Sequence, residues 1–427
     1  MIRPFAVLAL SLFALLPATA GAFTINVNNP QDLPDADPGD GVCNVDPFHD
    51  PDVFALCTLR AAVMEANATS IDTEPMVTIL LKPGSNHVFK IAPADGDVTG
   101  ANGDLDIARP MWIGVPEGSK TRARVSGNDL DKIFEFAQGA EGSTMHGLEI
   151  VDGRPVYSLS GEAAAIQNRA GHLTLSWLDV HANNANGYDR GAIYVHNGNL
   201  RLVDSSVRNN GSADIPTTGI QDNTSTDWTI ERSSIYSNSG EGVRHISGKL
   251  HVLQSTIAHN GEYGVFSQTH DGLIISGSTI AYNGISQVRL TPNSVDGVQI
   301  YGSIIASSDP MVPLCEDPIE SDFHRAWNLF SDGSCPTDEV FDFGNQIGAA
   351  SLQELGNWRG PTATMPPLPG SDAVDFVDPS VCEGIVHDQR GLPRIVSYTG
   401  AQPARCDAGA VELQLPVIFS DGFDEAP

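Results

Sequence analysis

Two carboxylates occupy equivalent places in neighbouring sequence repeats: Glu149 in Leu148-Glu149-Ile150 and Asp179 in Leu178-Asp179-Val180. Stacked on adjacent strands they would lie roughly 5 Å apart, the separation that a retaining glycosidase needs. The alternative is a solvated acidic face with Arg154 or His181 nearby. Ser-His-Asp chemistry has no support, because no serine sits in a Gly-x-Ser-x-Gly elbow. Eight of the twelve histidines lie between His146 and His270. His172, His196, His245 and His259 fall at different repeat phases, which reads as scattered surface positions rather than a site.

Calcium is the one cofactor with candidate ligands, and none is required. Asp35, Asp37 and Asp40 alternate with glycine in one loop, and Asp95, Asp97, Asn102, Asp104 and Asp106 cluster in another. Flexible oxygen-rich loops suit that ion, although neither has the EF-hand spacing and such turns also form without metal. A second set of residues suits sugar binding. Gln167, Tyr194, Gln221, Arg244, Phe266 and Arg289 recur once per repeat and are expected to point outward from consecutive strands. Aromatic rings would stack on sugar faces while amides and guanidinium groups bond hydroxyls; the alternative is an ordinary or loop-covered β-face.

The elements that must position these side chains are short strands. From Ile150 the apolar anchors Val180, Val207, Ile235, Ile257, Ile280 and Ile304 follow at spacings of 30, 27, 28, 22, 23 and 24 residues. Asn183, Asn210, Asn238, Asn260 and Asn283 stand three positions after their anchors, with Gly153 and Ser307 at the two ends. Each repeat holds three short alternating segments separated by Gly, Asn, Ser and Asp, which predicts an all-β, right-handed parallel β-helix. Stacked asparagines are expected to bond along the ladder and to tolerate left-handed backbone at corners. Val77–Leu81, His87–Ile91 and Met111–Ile113 read as earlier rungs, giving roughly ten in a rod about 50 Å long. Residues 57–67 predict a short capping helix with Leu59, Ala62, Val63 and Ala66 on one face.

Six cysteines fall in three sequence-local pairs at the flanks, predicting Cys43–Cys57, Cys315–Cys335 and Cys382–Cys406. Each bridge would close a short loop worth roughly 3 kcal/mol. Arg3, the apolar run from Phe5 to Leu16 and Ala18-Thr19-Ala20 read as a signal peptide over residues 1–22, hence an exported protein. No later segment approaches the ~18 consecutive apolar residues of a membrane span. The formal net charge of −30 opposes binding to nucleic acid or anionic lipid. Nothing in the sequence indicates an oligomeric state.

Residues 35–67, with Cys57-Thr58-Leu59-Arg60-Ala61-Ala62, resemble the Cys-Ser-Leu-Arg-Glu-Ala (CSLREA) domain of bacterial secreted β-helix proteins. Ala61 replaces the glutamate of that family name. Residues 355–375, Asp388-Gln389-Arg390-Gly391 and Cys406-Asp407-Ala408-Gly409-Ala410-Val411-Glu412 resemble the choice-of-anchor Q domain of bacterial surface proteins. Phe419-Ser420-Asp421-Gly422-Phe423-Asp424 is similar to short terminal tags on exported gammaproteobacterial proteins. The resemblance implies a pectin-lyase-like fold outside a Gram-negative cell or on its surface. It divides the chain into a cap at 23–75, repeats at 76–310, a disulfide-stapled region at 311–415 and a tail at 416–427. It does not itself imply catalysis, because these families are defined by architecture. Polygalacturonase-like enzymes carry Asn-Thr-Asp, Asp-Asp, Gly-His-Gly and Arg-Ile-Lys elements, and this chain has none of them. Pectate-lyase-like enzymes set a basic residue beside acidic ligands, and no acidic cluster is expected in the column of Arg244 and Arg289. The leading expectation is therefore a non-catalytic envelope protein for adhesion or glycan binding. The rivals are a polysaccharide lyase or glycosidase on an acidic polysaccharide, and a structural surface protein without a small ligand.

Overall fold

The computed structural model describes residues 23–414, except 49–54, 73, 95–98, 156–161, 186–189, 225–226, 269–271, 292–296, 317–322, 336–341, 399 and 401–402. The expected signal peptide, the terminal tail, Asp95 and Asp97 lie outside the described residues.

Apolar residues alternate with polar ones in each short strand, and this alternation sets one interior. Leu173 and Leu175, then Val180, then Ile193 and Val195 are fully buried in successive strands of a single rung. Rungs pair in parallel: Leu173–Ser176 with Leu200–Val203, Asp179–His181 with Ser206–Arg208, and Gly191–Val195 with Thr218–Asp222. Three parallel sheets result, with 12, 11 and 9 strands among the described residues, here called first, second and third in the order the chain visits them. Crossover connections of this kind coil right-handed, and the fold is a right-handed parallel β-helix. Twelve strands at ~4.8 Å make the first sheet about 53 Å long.

The corners explain the repeat. A single residue in left-handed conformation turns the first sheet into the second: Gly147 (φ 66°), Trp177 (52°), Asp204 (49°), Arg232 (46°) and Gln254 (43°). The second corner uses Ala182, Asn209, Ser237, His259 and Tyr282 in the same way. The left-handed residue is thus the one before each ladder asparagine, and the asparagines serve through their side chains. Nδ2 of Asn183, Asn210, Asn238 and Asn260 donates to the Oδ1 of the next at 3.0, 2.8, 3.0 and 2.9 Å. A serine ladder runs beside the first corner, where the backbone N–H of Ser205, Ser233, Ser255 and Ser278 donates to the next serine Oγ. Ser303 continues that ladder, so Ile305 rather than Ile304 pairs with Ile280. The last anchor therefore sits one residue later than the apolar spacing implies.

Helix Leu59–Ala68 covers the N-terminal end, capped by Thr58, whose side chain accepts from Ala61 N. It packs on Val77–Leu80 and Leu105–Ile107, standing where the third sheet would otherwise begin. Asn67 bonds Asp106 O and Ala108 N, finishing that open strand edge. Arg60 pairs with Asp32 at 2.6 Å and stacks over Phe89, so a glutamate at position 61 is not what balances it.

The three disulfides are Cys43–Cys57, Cys315–Cys335 and Cys382–Cys406. No helix among the described residues is long and apolar enough to cross a membrane. The segment from Ala350 to Val411 lies as an irregular layer on the later rungs of the second sheet. Its Met365, Val377, Cys382, Cys406 and Ala408 pack on Ala258, Ala281, Ile304 and Ala306. Gln389 reaches Thr256 Oγ1 and Ser233 O, and Ala410 N donates to Thr279 Oγ1. At Gly409 a Cβ would meet Ile304 Cδ1 at 2.7 Å, so only glycine permits this approach.

Candidate functional site

The outer face of the second sheet divides into two halves. In strand register, the residue after each anchor forms one column: His181, Arg208, Tyr236, Ala258, Ala281 and Ala306. The alanines make room for the C-terminal layer. The first three carry functional groups, lie on consecutive rungs and remain partly exposed.

Each of the first two is held by a carboxylate in the adjacent column. Glu149 and Asp179 are direct register partners, so they stack on neighbouring rungs as their spacing predicted. Glu149 Oε1 lies 3.0 Å from His181 Nε2. A carboxylate accepts, so Nε2 is the donor, and in the neutral imidazole Nδ1 is the nitrogen that carries the lone pair. Asp179 takes Arg208 in a two-point clamp, Nε to Oδ1 at 2.9 Å and Nη2 to Oδ2 at 2.8 Å. Burial opposes the Arg208 charge, but the bond and charge of Asp179 outweigh it and raise its pKa. Burial likewise pushes the Tyr236 phenol up, only partly offset by Arg208, so it remains a protonated donor. Arg124 and Arg122 complete the group. Arg124 bonds Asp152 at 3.1 Å and lies 3.9 Å from Glu149. Arg122 stacks over the Trp177 ring and donates to Trp177 O at 2.7 Å.

As a glycosidase pair the two carboxylates are poorly placed, because their oxygens already serve His181 and Arg208. The arrangement instead offers a base oriented by an acid, a fixed cation and a phenol donor, spaced one rung apart. Arg208 and Tyr236 were missed from sequence, although aligning the residues after the anchors lists both.

The third-sheet residues do form one column in register: Gln167, Tyr194, Gln221, Arg244, Phe266 and Arg289. It is not an open ladder. Gln167, Tyr194, Gln221 and Phe266 are buried, while Arg190 covers Tyr194 and Arg289 lies over both Tyr263 and Phe266. Arg244 pairs with Glu241 at 3.0 Å. No acidic cluster was expected in this column, yet it is acidic at both ends, with Asp106 and Glu135 before it and Glu316 after it.

Asp104 and Asp106 come together with Glu135 in the one potential cation-ligand group among the described residues. Lys132 pairs with two of its members, with Nζ 3.3 Å from Asp104 and 3.1 Å from Glu135, and lies 3.7 Å from Glu162. Burial opposes the Lys132 charge, but these carboxylates outweigh it and raise its pKa. Asp104 is pushed up to about 8, chiefly by burial. In the first acidic loop, Asp35 accepts from Asp37 N and Asp40 from Val42 N. The loop folds around Glu65, which accepts from Gly39 N and Gly41 N.

Other places fit catalysis less well. His245 and Asp222 form a pair at 2.7 Å, but both are sealed in the coil interior beside Trp228. Clefts of about 470 and 340 Å³ are lined by Glu141, Arg169 and His196, and by Glu231, Arg232 and His387. Neither sets an imidazole within hydrogen-bonding reach of a carboxylate among the described residues.

No family model matches the chain. No curated protein matches either. Two solved structures are similar to it. The A-module of the Azotobacter vinelandii mannuronan C-5 epimerase AlgE4 is 17% identical with a TM-score of 0.43, over 72% of this chain and 92% of that one. The pectate lyase Pel9A is 13% identical with a TM-score of 0.41, over 93% of this chain and 98% of that one.

Proposed function

We propose that the protein is an exported enzyme acting on an acidic polysaccharide by β-elimination, at the open half of the second sheet. The observation that carries this reading is the in-register column His181, Arg208 and Tyr236, with Glu149 and Asp179 holding its first two members. Elimination from a uronate unit requires three services. A base removes the proton beside the carboxylate, a cation stabilises the charge that develops there, and an acid protonates the departing oxygen. His181 Nδ1, the Arg208 guanidinium and the Tyr236 hydroxyl supply them in that order. The proton goes to His181, the electron pair forms the new double bond, and the leaving oxygen takes its proton from Tyr236. Arg122, Arg124 and Arg208 offset Glu149, Asp152 and Asp179 in this patch, so an anionic polymer meets less repulsion here than elsewhere on a chain of net charge −30.

Incubation with polygalacturonate and alginate should release unsaturated ends, read by their ultraviolet absorbance. His181→Ala should lower the rate by about 10²- to 10⁴-fold, the worth of a positioned base. A His181→Ala variant with undiminished turnover would sink the assignment. Polymer binding without turnover is the second reading, favoured by the prior commitment of both carboxylates to cations. Export is part of the proposal, resting on the amino-terminal pattern of residues 1–22 and the three disulfides.

A further inference from the structure

The second-sheet site does not stand alone at its corner. Trp112 on strand Met111–Gly114, His146 on strand Ser143–His146 and Trp177 at the next corner bring three rings together on three successive rungs. Ring centroids are 5.9 Å apart between Trp112 and His146, and 5.6 Å between His146 and Trp177. The steps follow the rung spacing, and each ring is tilted on its neighbour, by 31° and 42°. The three are partly exposed rather than sealed in the core.

Their posture is fixed. His146 Nδ1 lies 2.9 Å from Ser176 Oγ, and burial lowers its pKa, so the ring stays neutral near neutral pH. Trp177 adopts a left-handed backbone and lies against Gly147, where a Cβ would meet the indole at 2.7 Å. Arg122 lies over that indole, its charge centre 4.9 Å from the ring centroid. Arg122 Nη2 is shielded from solvent and has no acceptor among the described residues. The Asp179 and Glu149 carboxylates are close enough to act on the charge of the same guanidinium. That nitrogen is closed to solvent, so a polymer oxygen can meet only the exposed remainder of this half-buried guanidinium.

We infer that Trp112, His146 and Trp177 form a stacking track that holds successive sugar rings of a polymer, with Arg122 anchoring an oxygen of the unit entering the second-sheet site. The inference rests on the proposed function and adds its substrate requirement: a chain of several pyranose units, crossing diagonally from the first sheet to the second. A flat hydrophobic ring face beside a cation suits a sugar that is apolar on its face and anionic at its edge.

The test compares wild type, Trp112→Ala, Trp112→Leu, Trp112→Phe, Arg122→Gln and His181→Ala on polygalacturonate and alginate. Binding is read by affinity electrophoresis and turnover by unsaturated ends. Trp112→Ala should weaken polymer binding about tenfold, raise KM alike and leave kcat within about twofold, while Trp112→Phe keeps most of the affinity. Arg122→Gln should weaken binding of both acidic polymers, and His181→Ala should bind normally. Thermal melting identifies any variant that fails to fold, and Trp112→Phe then carries the comparison against Trp112→Leu. Unchanged binding and KM in folded Trp112→Ala overturns the track, even where wild type turns over polymer. Loss of binding in that variant, with no turnover by wild type, upholds the track and overturns the elimination reading instead.

Discussion

His181 and Arg208 gain direction from the carboxylates beside them: Glu149 fixes the imidazole tautomer and Asp179 holds the guanidinium at two points. Elsewhere the same residue types do structural work. Asp104 sits with Asp106, Asp131 and Glu135 around Lys132, and burial with that repulsion drives it up to about 8. A carboxyl raised on folding binds its proton more tightly in the folded state. Its contribution is therefore fully present below the unfolded value near 3.8 and is lost as pH rises through about 8. Melting temperature should fall between pH 5 and pH 8 in wild type, and the fall should shrink in Asp104→Asn; an unchanged slope would count against the assignment. The stacking of Glu149 on Asp179 could be read from sequence because both immediately precede an anchor. His181 was legible beside them as well, and Glu149 bonds it; Arg208 was not. Arg208 and Tyr236 look like unrelated surface residues until the anchors are aligned, and burial of the third-sheet column depends on Arg190, Tyr263 and other groups outside the repeat phase.

At the scale of elements, the ladders hold the register that brings His181, Arg208 and Tyr236 into line. Asn238 donates to Val207 O and Asn260, and accepts from both the side chain and the backbone of Asn210. Truncating it strands buried partners on two rungs. Asn238→Ala should therefore cost on the order of 3 kcal/mol in chemical denaturation, more than loss of an exposed amide. A cost under about 0.5 kcal/mol would show that the strands hold register without the ladder. The rung spacing and the asparagines were legible because their period is carried by single residue types. The serine ladder was hidden among many corner serines. The slip at Ile304 has a plain cause: two isoleucines adjoin, one facing the core and the other lying under Gly409.

Over the whole molecule, one sheet face is shared between a packed layer and an open site. The column changes from His181, Arg208 and Tyr236 to three alanines where Gln389, Gly409 and Ala410 dock. Cys382–Cys406 ties this layer across 24 residues, a constraint worth about 3 kcal/mol. Cys382→Ser with Cys406→Ser should raise amide exchange across residues 350–412 while rungs before Ser206 stay protected; uniform loosening would contradict a separable layer. The motif residues of this region were visible in sequence, but the sheet they cover was not, since no spacing relates position 389 to position 256. The central claim concerns the half left open. It is tested most directly by the rate at which wild type and His181→Ala release unsaturated ends from polygalacturonate and alginate at neutral pH. Wild type should turn over at least one polymer, and the variant should lose about 10²-fold or more of that rate; no release from either polymer, or equal release by both proteins, would contradict elimination at His181.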